Sequence, residues 1–264
     1  MPRCWNLGWV YDYKVNSDMN IRAILFLLIL QVLSACSNDV PECFQDAGES
    51  VSYEVQTEAF ESITIAEGIE LIIEQGNERK IVVETGENLR EHITVNVING
   101  ELIIHNNSGC NWVRQYNTTR VYVTTPHLKK VYSASQFAVL SQGVLSFSDL
   151  TLQSGMLGET ASGTFELEVN SQNLTIEDNQ SVYCNIFGAV ENLRVNFYSG
   201  DARFDGANLI AQRVNIFHRS SNDIIVNPQQ EVKGIVSSTG NLILKHLPPL
   251  VEIEQLYTGH VVYD

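Results

Sequence analysis

Leu193-Arg194-Val195-Asn196-Phe197-Tyr198-Ser199-Gly200-Asp201 alternates apolar and polar side chains and then closes on a small-polar, glycine step. Period-two alternation marks a half-buried strand, and the Ser-Gly step supplies a turn. Comparable steps fall at Ser135-Gln136, Ser154-Gly155, Asn179-Gln180, Ser220-Ser221, Thr239-Gly240 and Thr258-Gly259, a repeat of roughly 20 residues. Between them lie short apolar-alternating segments, among them Leu150 to Leu152, Phe165 to Val169, Leu174 to Ile176, Val214 to Phe217, Ile224 to Val226 and Leu242 to Leu244. A unit this short cannot bury its apolar face alone, so successive units must stack and shield one another. The reading is an all-β chain: a β-solenoid, or parallel β-helix-like stack of short strands, with an N-terminal antiparallel β section. An antiparallel β-sandwich is the alternative.

Upstream, Ile63 and Ile65, then Ile69, Leu71 and Ile73, then Ile81 and Val83 keep the same alternation. Asn99-Gly100 is a two-residue hairpin signal because both residues tolerate positive φ, so Ile93 to Val97 should pair with Leu102 to Ile104. Gly86 to Glu91 lacks alternation and reads as one helical turn or a loop. A strand over Thr119 to Thr125 ends at Pro126, which donates no ladder hydrogen bond. The domain runs over residues 55–264, with the N-terminal β section to about 125 and repeat coils beyond it. Pro248-Pro249 and the last strand near Val261 to Tyr263 are expected to cap the open end.

The chain has 264 residues and a formal charge of −15 from 31 acidic and 16 basic side chains. Such a balance repels phosphate backbones and argues against nucleic acid as a partner. Near the start, Arg22 precedes the apolar run Ala23 to Leu33, which is too short for a comfortable membrane span and reads as the core of an export signal over residues 1–35. Leu33-Ser34-Ala35-Cys36 places small residues before a cysteine, as a bacterial lipobox does, so Cys36 is expected to carry lipid and anchor the chain to a membrane. Residues 36–54 then form a polar tether, and the localisation that follows is the bacterial cell envelope, as an outer-membrane lipoprotein with its leaflet left open. Trp5, Trp9, Tyr11 and Tyr13 fit no signal n-region, and Met19 makes a better start than Met1.

Phe60-Glu61-Ser62-Ile63-Thr64-Ile65, Gly68-Ile69-Glu70-Leu71-Ile72-Ile73-Glu74-Gln75-Gly76, the Gly86-Glu87-Asn88-Leu89 turn, Gly100-Glu101-Leu102-Ile103-Ile104 and the repeated Ser/Thr-Gly steps resemble the family described as "putative auto-transporter adhesin, head GIN domain". The resemblance spans about residues 55–264. It implies an exported bacterial protein with a β-solenoid fold and an adhesin-like role, and it supplies no catalytic residues to carry over.

Of the cysteines beyond the signal, Cys43 and Cys110 both sit in loop-like surroundings and are the preferred disulfide in an oxidising envelope; Cys184, in Val182-Tyr183-Cys184-Asn185-Ile186, reads as a buried free thiol. No Cys-x-x-Cys or histidine spacing supports a metal site, and no motif calls for a cofactor. Trp112, Tyr116, Tyr122 and Tyr132 form a candidate sugar-stacking set, with Arg114 able to fork onto a carboxylate; Trp112, Arg114 and Tyr116 are the ligand contacts named on this basis. The competing reading packs Trp112 over the Cys43-Cys110 bridge. Asp178, Asp201, Asp205 and Asp223 lie near turns, where carboxylates of β-helix lyases and hydrolases could converge, although acids at turns are ordinarily solvated. The histidines are read as surface or strand-end residues. The function expected is a non-enzymatic envelope lipoprotein that binds a glycan or protein ligand. The alternatives are a carbohydrate-active lyase or hydrolase, or a structural component with no external ligand; the oligomeric state stays open.

Overall fold

The structure, a computed structural model, describes residues 46–108, 119–157 and 163–264. In chain order the strands are β1 (Ser50–Val55), β2 (Ser62–Ile65), β3 (Glu70–Gln75), β4 (Lys80–Gly86), β5 (Ile93–Ile98), β6 (Glu101–Asn106), β7 (Arg120–Thr125), β8 (Lys130–Ser133), β9 (Ala138–Leu145) and β10 (Asp149–Ser154). Four long strands follow: β11 (Thr164–Asp178), β12 (Tyr183–Phe197), β13 (Arg203–His218) and β14 (Ile224–Val236). Three short ones, β15 (Leu242–Leu244), β16 (Leu250–Gln255) and β17 (Val261–Tyr263), end the chain, and a 3-10 helix over Glu87–His92 joins β4 to β5.

These strands stack as coils around one core. Leu174, Leu193, Val214, Val232 and Val251 lie in a single column, so successive coils advance by 19, 21, 18 and 19 residues. The coil is therefore the unit read from the small-polar steps. Each long strand passes through two opposed sheets and bends between them. At one bend Gly188 takes φ 111°, with the Val169 carbonyl where a Cβ would project.

The first sheet runs β5-β6-β2-β8-β10, then the second halves of β11 to β14, then β16. The second runs β1-β4-β7-β3-β9, then the first halves of β11 to β14, then β15 and β17. All neighbours are parallel except β1–β4, β4–β7 and β5–β6. Parallel pairing of successive coils excludes the antiparallel sandwich.

Between the sheets the inward side chains form continuous columns. Ile63, Val131, Leu152, Ile176, Val195 and Ile216 stack in one, each at most 2% exposed. Opposite them run Leu71, Val139, Phe165, Cys184, Phe204, Ile224 and Leu242. Cys184 is buried and free, and its column explains it: a small thiol fits between the phenyl rings of Phe165 and Phe204. Burial, then the neighbouring Asp178 carboxylate, push its thiol well above the ordinary range, so it stays protonated and unreactive.

The N-terminal section contributes coils of its own. β2 and β3 make one, β6 and β7 another, and β2/β3 lies between β6/β7 and β8/β9 in space although it precedes both in sequence. The antiparallel strands β1, β4 and β5 flank this end, and the 3-10 helix crosses it with Leu89 at 1% exposure. Asn88 fastens the plug, donating its backbone N–H to the Ala47 carbonyl at 3.1 Å and its amide to the Asp46 carbonyl at 2.9 Å.

The β5–β6 hairpin has the form read from Asn99-Gly100, with φ 53° and 78° at the two turn residues. A Cβ at Gly100 would meet nothing within 4 Å. Gly100→Ala therefore carries only the conformational penalty of a left-handed residue, and a urea-unfolding measurement should show a loss of about 1 kcal/mol.

The coil corners after the first sheet carry the small-polar steps and form a ladder. Asp201 N–H donates to the Gln180 carbonyl at 2.9 Å, Ser221 N–H to the Gly200 carbonyl at 3.0 Å, and Gly259 N–H to the Ser238 carbonyl at 2.9 Å. Ser199 Oγ donates to the Asn179 carbonyl at 2.8 Å. The last coil, β16 and β17, pairs on one side only, with β14 and β15. Val261 to Tyr263 and the segment after Pro248-Pro249 are that terminal coil itself. Among the described residues no segment crosses it as the 3-10 helix crosses the other end.

Candidate functional site

The outward face of the first sheet carries polar side chains in register, because every second residue of β10 to β14 points to solvent while its neighbours fill the core. At the start of each strand runs a one-way chain of hydrogen bonds. Arg213 Nε donates to Asn192 Oδ1 at 2.9 Å, Asn192 Nδ2 to Asn173 Oδ1 at 2.8 Å, and Asn173 Nδ2 to Asp149 Oδ1 at 2.6 Å. Each donor polarises the next, and the run starts on a cation and ends on an anion, so the amides are held flat and oriented. Arg213 is further tied to Glu191 at 2.5 Å, and Lys233 to Glu231 at 2.9 Å.

One column further along lie Thr175, Arg194, Asn215 and Lys233, in register across four coils. Lys233 is paired, but the column's middle is not. Arg194 and Asn215 are exposed, and among the described residues neither makes a hydrogen bond or ion pair. Beside them Tyr198 and Phe217 pack at a tilt with ring centroids 5.8 Å apart, and Tyr198 Oη donates to Glu177 Oε1 at 3.0 Å. Burial, then this bond to a carboxylate, hold the Tyr198 phenol above its ordinary value, so it stays protonated as a donor. These columns line a groove of about 300 Å³. Fixed amides, a free guanidinium and an adjacent aromatic pair are chemistry suited to hydroxyl-rich ligands.

Of the residues named from sequence, Cys36, Cys43, Cys110, Trp112, Arg114 and Tyr116 lie outside the described residues. The proposed aromatic set is not assembled, because Tyr122 stands on the outer face of the second sheet and Tyr132 on the first. They belong to β7 and β8, which fall in different sheets. Tyr132 is also buried, its Oη accepting the Leu157 N–H at 3.1 Å.

The acids and histidines need correction too. Asp178 is not a solvated turn residue: it is 0% exposed and continues an inward column that also holds Ser133, Ser154, Phe197 and His218. Its Oδ2 accepts the Gln180 N–H at 2.6 Å, while Oδ1 has no partner. Burial raises the carboxyl to about 6, against the lowering effect of the Gln180, Val182 and Asn179 backbone amides, with the nearby Asp201 charge adding to the rise. His218 is the last residue of β13, a strand end as read, but it is 0% exposed rather than superficial, edge-on to Phe197 at 6.4 Å, with neither ring nitrogen hydrogen-bonded. Burial lowers its pKa, opposed by the Asn241 backbone and the Asp223 charge.

Asp178 feels the charge of Asp201, but the other three aspartates are each engaged locally. Asp201 bonds Ser181, Asp205 accepts the Ala207 N–H at 3.2 Å, and Asp223 accepts the Asn241 N–H at 2.8 Å. Among the described residues no group of three or more His, Cys, Asp or Glu side chains is placed to hold a metal ion.

A family model described as "Putative auto-transporter adhesin, head GIN domain" matches residues 59–248. The chain belongs to this family. Solved structures share this fold at low sequence identity. A "putative adhesin" from Bacteroides fragilis aligns with a TM-score of 0.75 at 14% identity, over 83% of this chain and 100% of its own. A "putative lipid binding protein" from Parabacteroides distasonis gives 0.62 at 16%, over 83% and 99%. A "putative adhesin" from Parabacteroides merdae gives 0.57 at 14%, over 81% and 97%. Comparison with curated proteins returns no match. At these identities the neighbours establish the fold alone, and the groove must be read from this chain's own residues.

Two signals for the groove were present in the sequence. Arg194 and Asn215 occupy the polar parity of their strands, in Leu193-Arg194-Val195 and Val214-Asn215-Ile216. What was missing was the coil register that sets them side by side.

Proposed function

We propose that this head GIN protein is a non-enzymatic, adhesin-like binding protein of the bacterial cell envelope, anchored to the outer membrane by lipid on Cys36, and that it holds a glycan in the groove of the first sheet. The observation that carries the reading is the pair Arg194 and Asn215, exposed and, among the described residues, without a hydrogen bond or ion pair beside a rigid amide ladder. Polar side chains left free on an otherwise well-paired face retain their full capacity for a ligand. The coil repeat of roughly 4.8 Å offers them along the solenoid, so an extended saccharide chain can engage several coils at once. Family membership supports the adhesin-like role, and the lipobox at Cys36 supports the anchor.

The test is glycan-array and matrix-protein binding by the chain from Glu42 onward, a compact unit with its own core. Glycan binding weakened at least tenfold by Arg194→Ala or Asn215→Ala is the expected result. Matrix-protein binding insensitive to both substitutions, or no binding to either class, would remove the assignment. Metabolic labelling with a fatty acid, lost in Cys36→Ala, checks the anchor.

A further inference from the structure

The twelve large apolar residues that stand exposed among the described residues are unevenly distributed. Six of them, Leu247, Leu250, Leu256, Tyr257, Val262 and Tyr263, fall in the last coil, together with the half-buried Val251, Ile253 and Val261. This coil is also where β16 and β17 each leave one edge unpaired. Two unpaired strand edges bracketing an exposed apolar end make a surface that calls for another β layer.

We propose that the occupant is the same end of a second copy of this chain, docked about a two-fold axis so that β16 of each copy pairs antiparallel with β17 of the other. Building on the envelope-anchored reading above, this makes the protein a homotypic adhesin. The opposite end also leaves one edge of β1 and of β5 unpaired, but there the 3-10 helix Glu87–His92 crosses the core with Leu89 buried, so the apolar end finds its better match in its own like.

Charge selects between the two ways of joining like ends. Pairing β16 with its own copy would set the outward Glu252 and Glu254 against the same two acids, and like charges directly opposite destabilise a strand pair. Pairing β16 with β17 sets them against a strand whose outward residue is Val262. In that arrangement the inward Val251 and Ile253 of one copy face Val261 and Tyr263 of the other, so each core column continues across the junction.

The area is sufficient for a reversible contact. A coil end made of the six-residue β16, the three-residue β17 and their corners, two sheets about 10 Å apart, covers roughly 500 Å² per copy, about 1,000 Å² in all, the size of a weak, transient interface. A contact of this size is weak and reversible. Its geometry matters more than its strength, because the chain enters at the plugged end, where the Asp46 carbonyl is bonded to Asn88. An end-to-end pair places the two entry points of the chain at opposite extremes, so copies held through their N-terminal sides would join two surfaces.

The experiment is sedimentation velocity on the chain from Glu42 onward across a concentration series, with beads coated through either terminus. Expected are a monomer–dimer equilibrium, clumping of beads coated through the N-terminus, and none of beads coated through the C-terminus. Val262→Lys and Tyr257→Lys should each weaken the dimer at least tenfold with the far-ultraviolet spectrum unchanged, while Ile210→Lys, an exposed residue on the coil flank, should leave it within about twofold. A monomer at every concentration overturns the inference and leaves glycan binding standing. Continued growth beyond a dimer, or clumping through both termini, overturns the end-to-end geometry. Strengthening by the double substitution Glu252→Lys, Glu254→Lys overturns the β16–β17 pairing, which predicts little change.

Discussion

Gly200→Val is expected to destabilise the protein by about 3–5 kcal/mol, more than an ordinary core truncation at the corner of a coil would. Gly200 takes φ 85°, and a Cβ there would lie 1.9 Å from the Gln180 carbonyl oxygen of the preceding coil. The left-handed backbone alone costs about 1–2 kcal/mol for a side chain, more for a β-branched one. The collision adds the larger share, since the carbonyl is held in place as acceptor for the Asp201 N–H at 2.9 Å. Relief requires the two coils to part, which also strains the bond from Ser221 N–H to the Gly200 carbonyl. Gly100, with nearly the same φ and open space around it, supplies the internal control as Gly100→Val: the same substitution at the two sites differs in what the neighbouring coil places against it. Urea midpoints read both, and a loss below about 1 kcal/mol at Gly200 would mean that the coils are not in contact at this corner.

Asp178→Asn should stabilise the protein at pH 8 by up to about 3 kcal/mol and leave it nearly unchanged at pH 4. The carboxyl sits at about 6 in the folded chain against an ordinary value of 3.8, a difference of about two units at about 1.4 kcal/mol each. A raised folded value means that the native state binds more protons than the unfolded one, so stability is fully present below about pH 4 and declines as pH rises through 6. Asparagine keeps the acceptor for the Gln180 N–H and never ionises.

His218 works in the opposite direction. Its folded value lies below 6.5, so the unfolded state binds the extra proton and stability declines as pH falls below that point. The two side chains share one column with Phe197 between them, about 10 Å apart at the ordinary strand spacing, and do not form an ion pair. Their slopes therefore oppose each other over neighbouring pH ranges. Asp178→Asn should unmask the loss on acidification, His218→Leu the loss on alkalinisation, and the double variant should be flatter than either. Unchanged pH slopes in both single variants would show that these groups are solvated.

The coil itself was plain in the sequence because its causes are local: alternation sets the strand, and Ser-Gly, Thr-Gly and Asn-Gln steps set the corner. The Asn99-Gly100 hairpin was legible for the same reason. Asp178 and His218 were misread although parity pointed inward, in Leu174, Ile176, Asp178 and in Val214, Ile216, His218. Chemical type was allowed to outweigh position there. The return of β6 to pair with β2 and the separation of Tyr122 from Tyr132 left no local trace, since parallel pairing between distant segments depends on contacts that only the finished stack provides. The groove was hidden in the same way: Arg194 and Asn215 are 21 positions apart and become neighbours through one turn of the solenoid.

The placement of β2/β3 between two later-made coils divides the molecule into a clasped part and a modular part. From β10 onward each layer touches only the layers made just before and just after it, so duplicating or excising a single turn among β11 to β14 would lengthen or shorten the rod by about 4.8 Å while sparing both extremities. The same edit upstream would cut a layer that holds two non-sequential neighbours together. Reach away from the cell surface is thus adjustable in fixed increments, and only along the distal half.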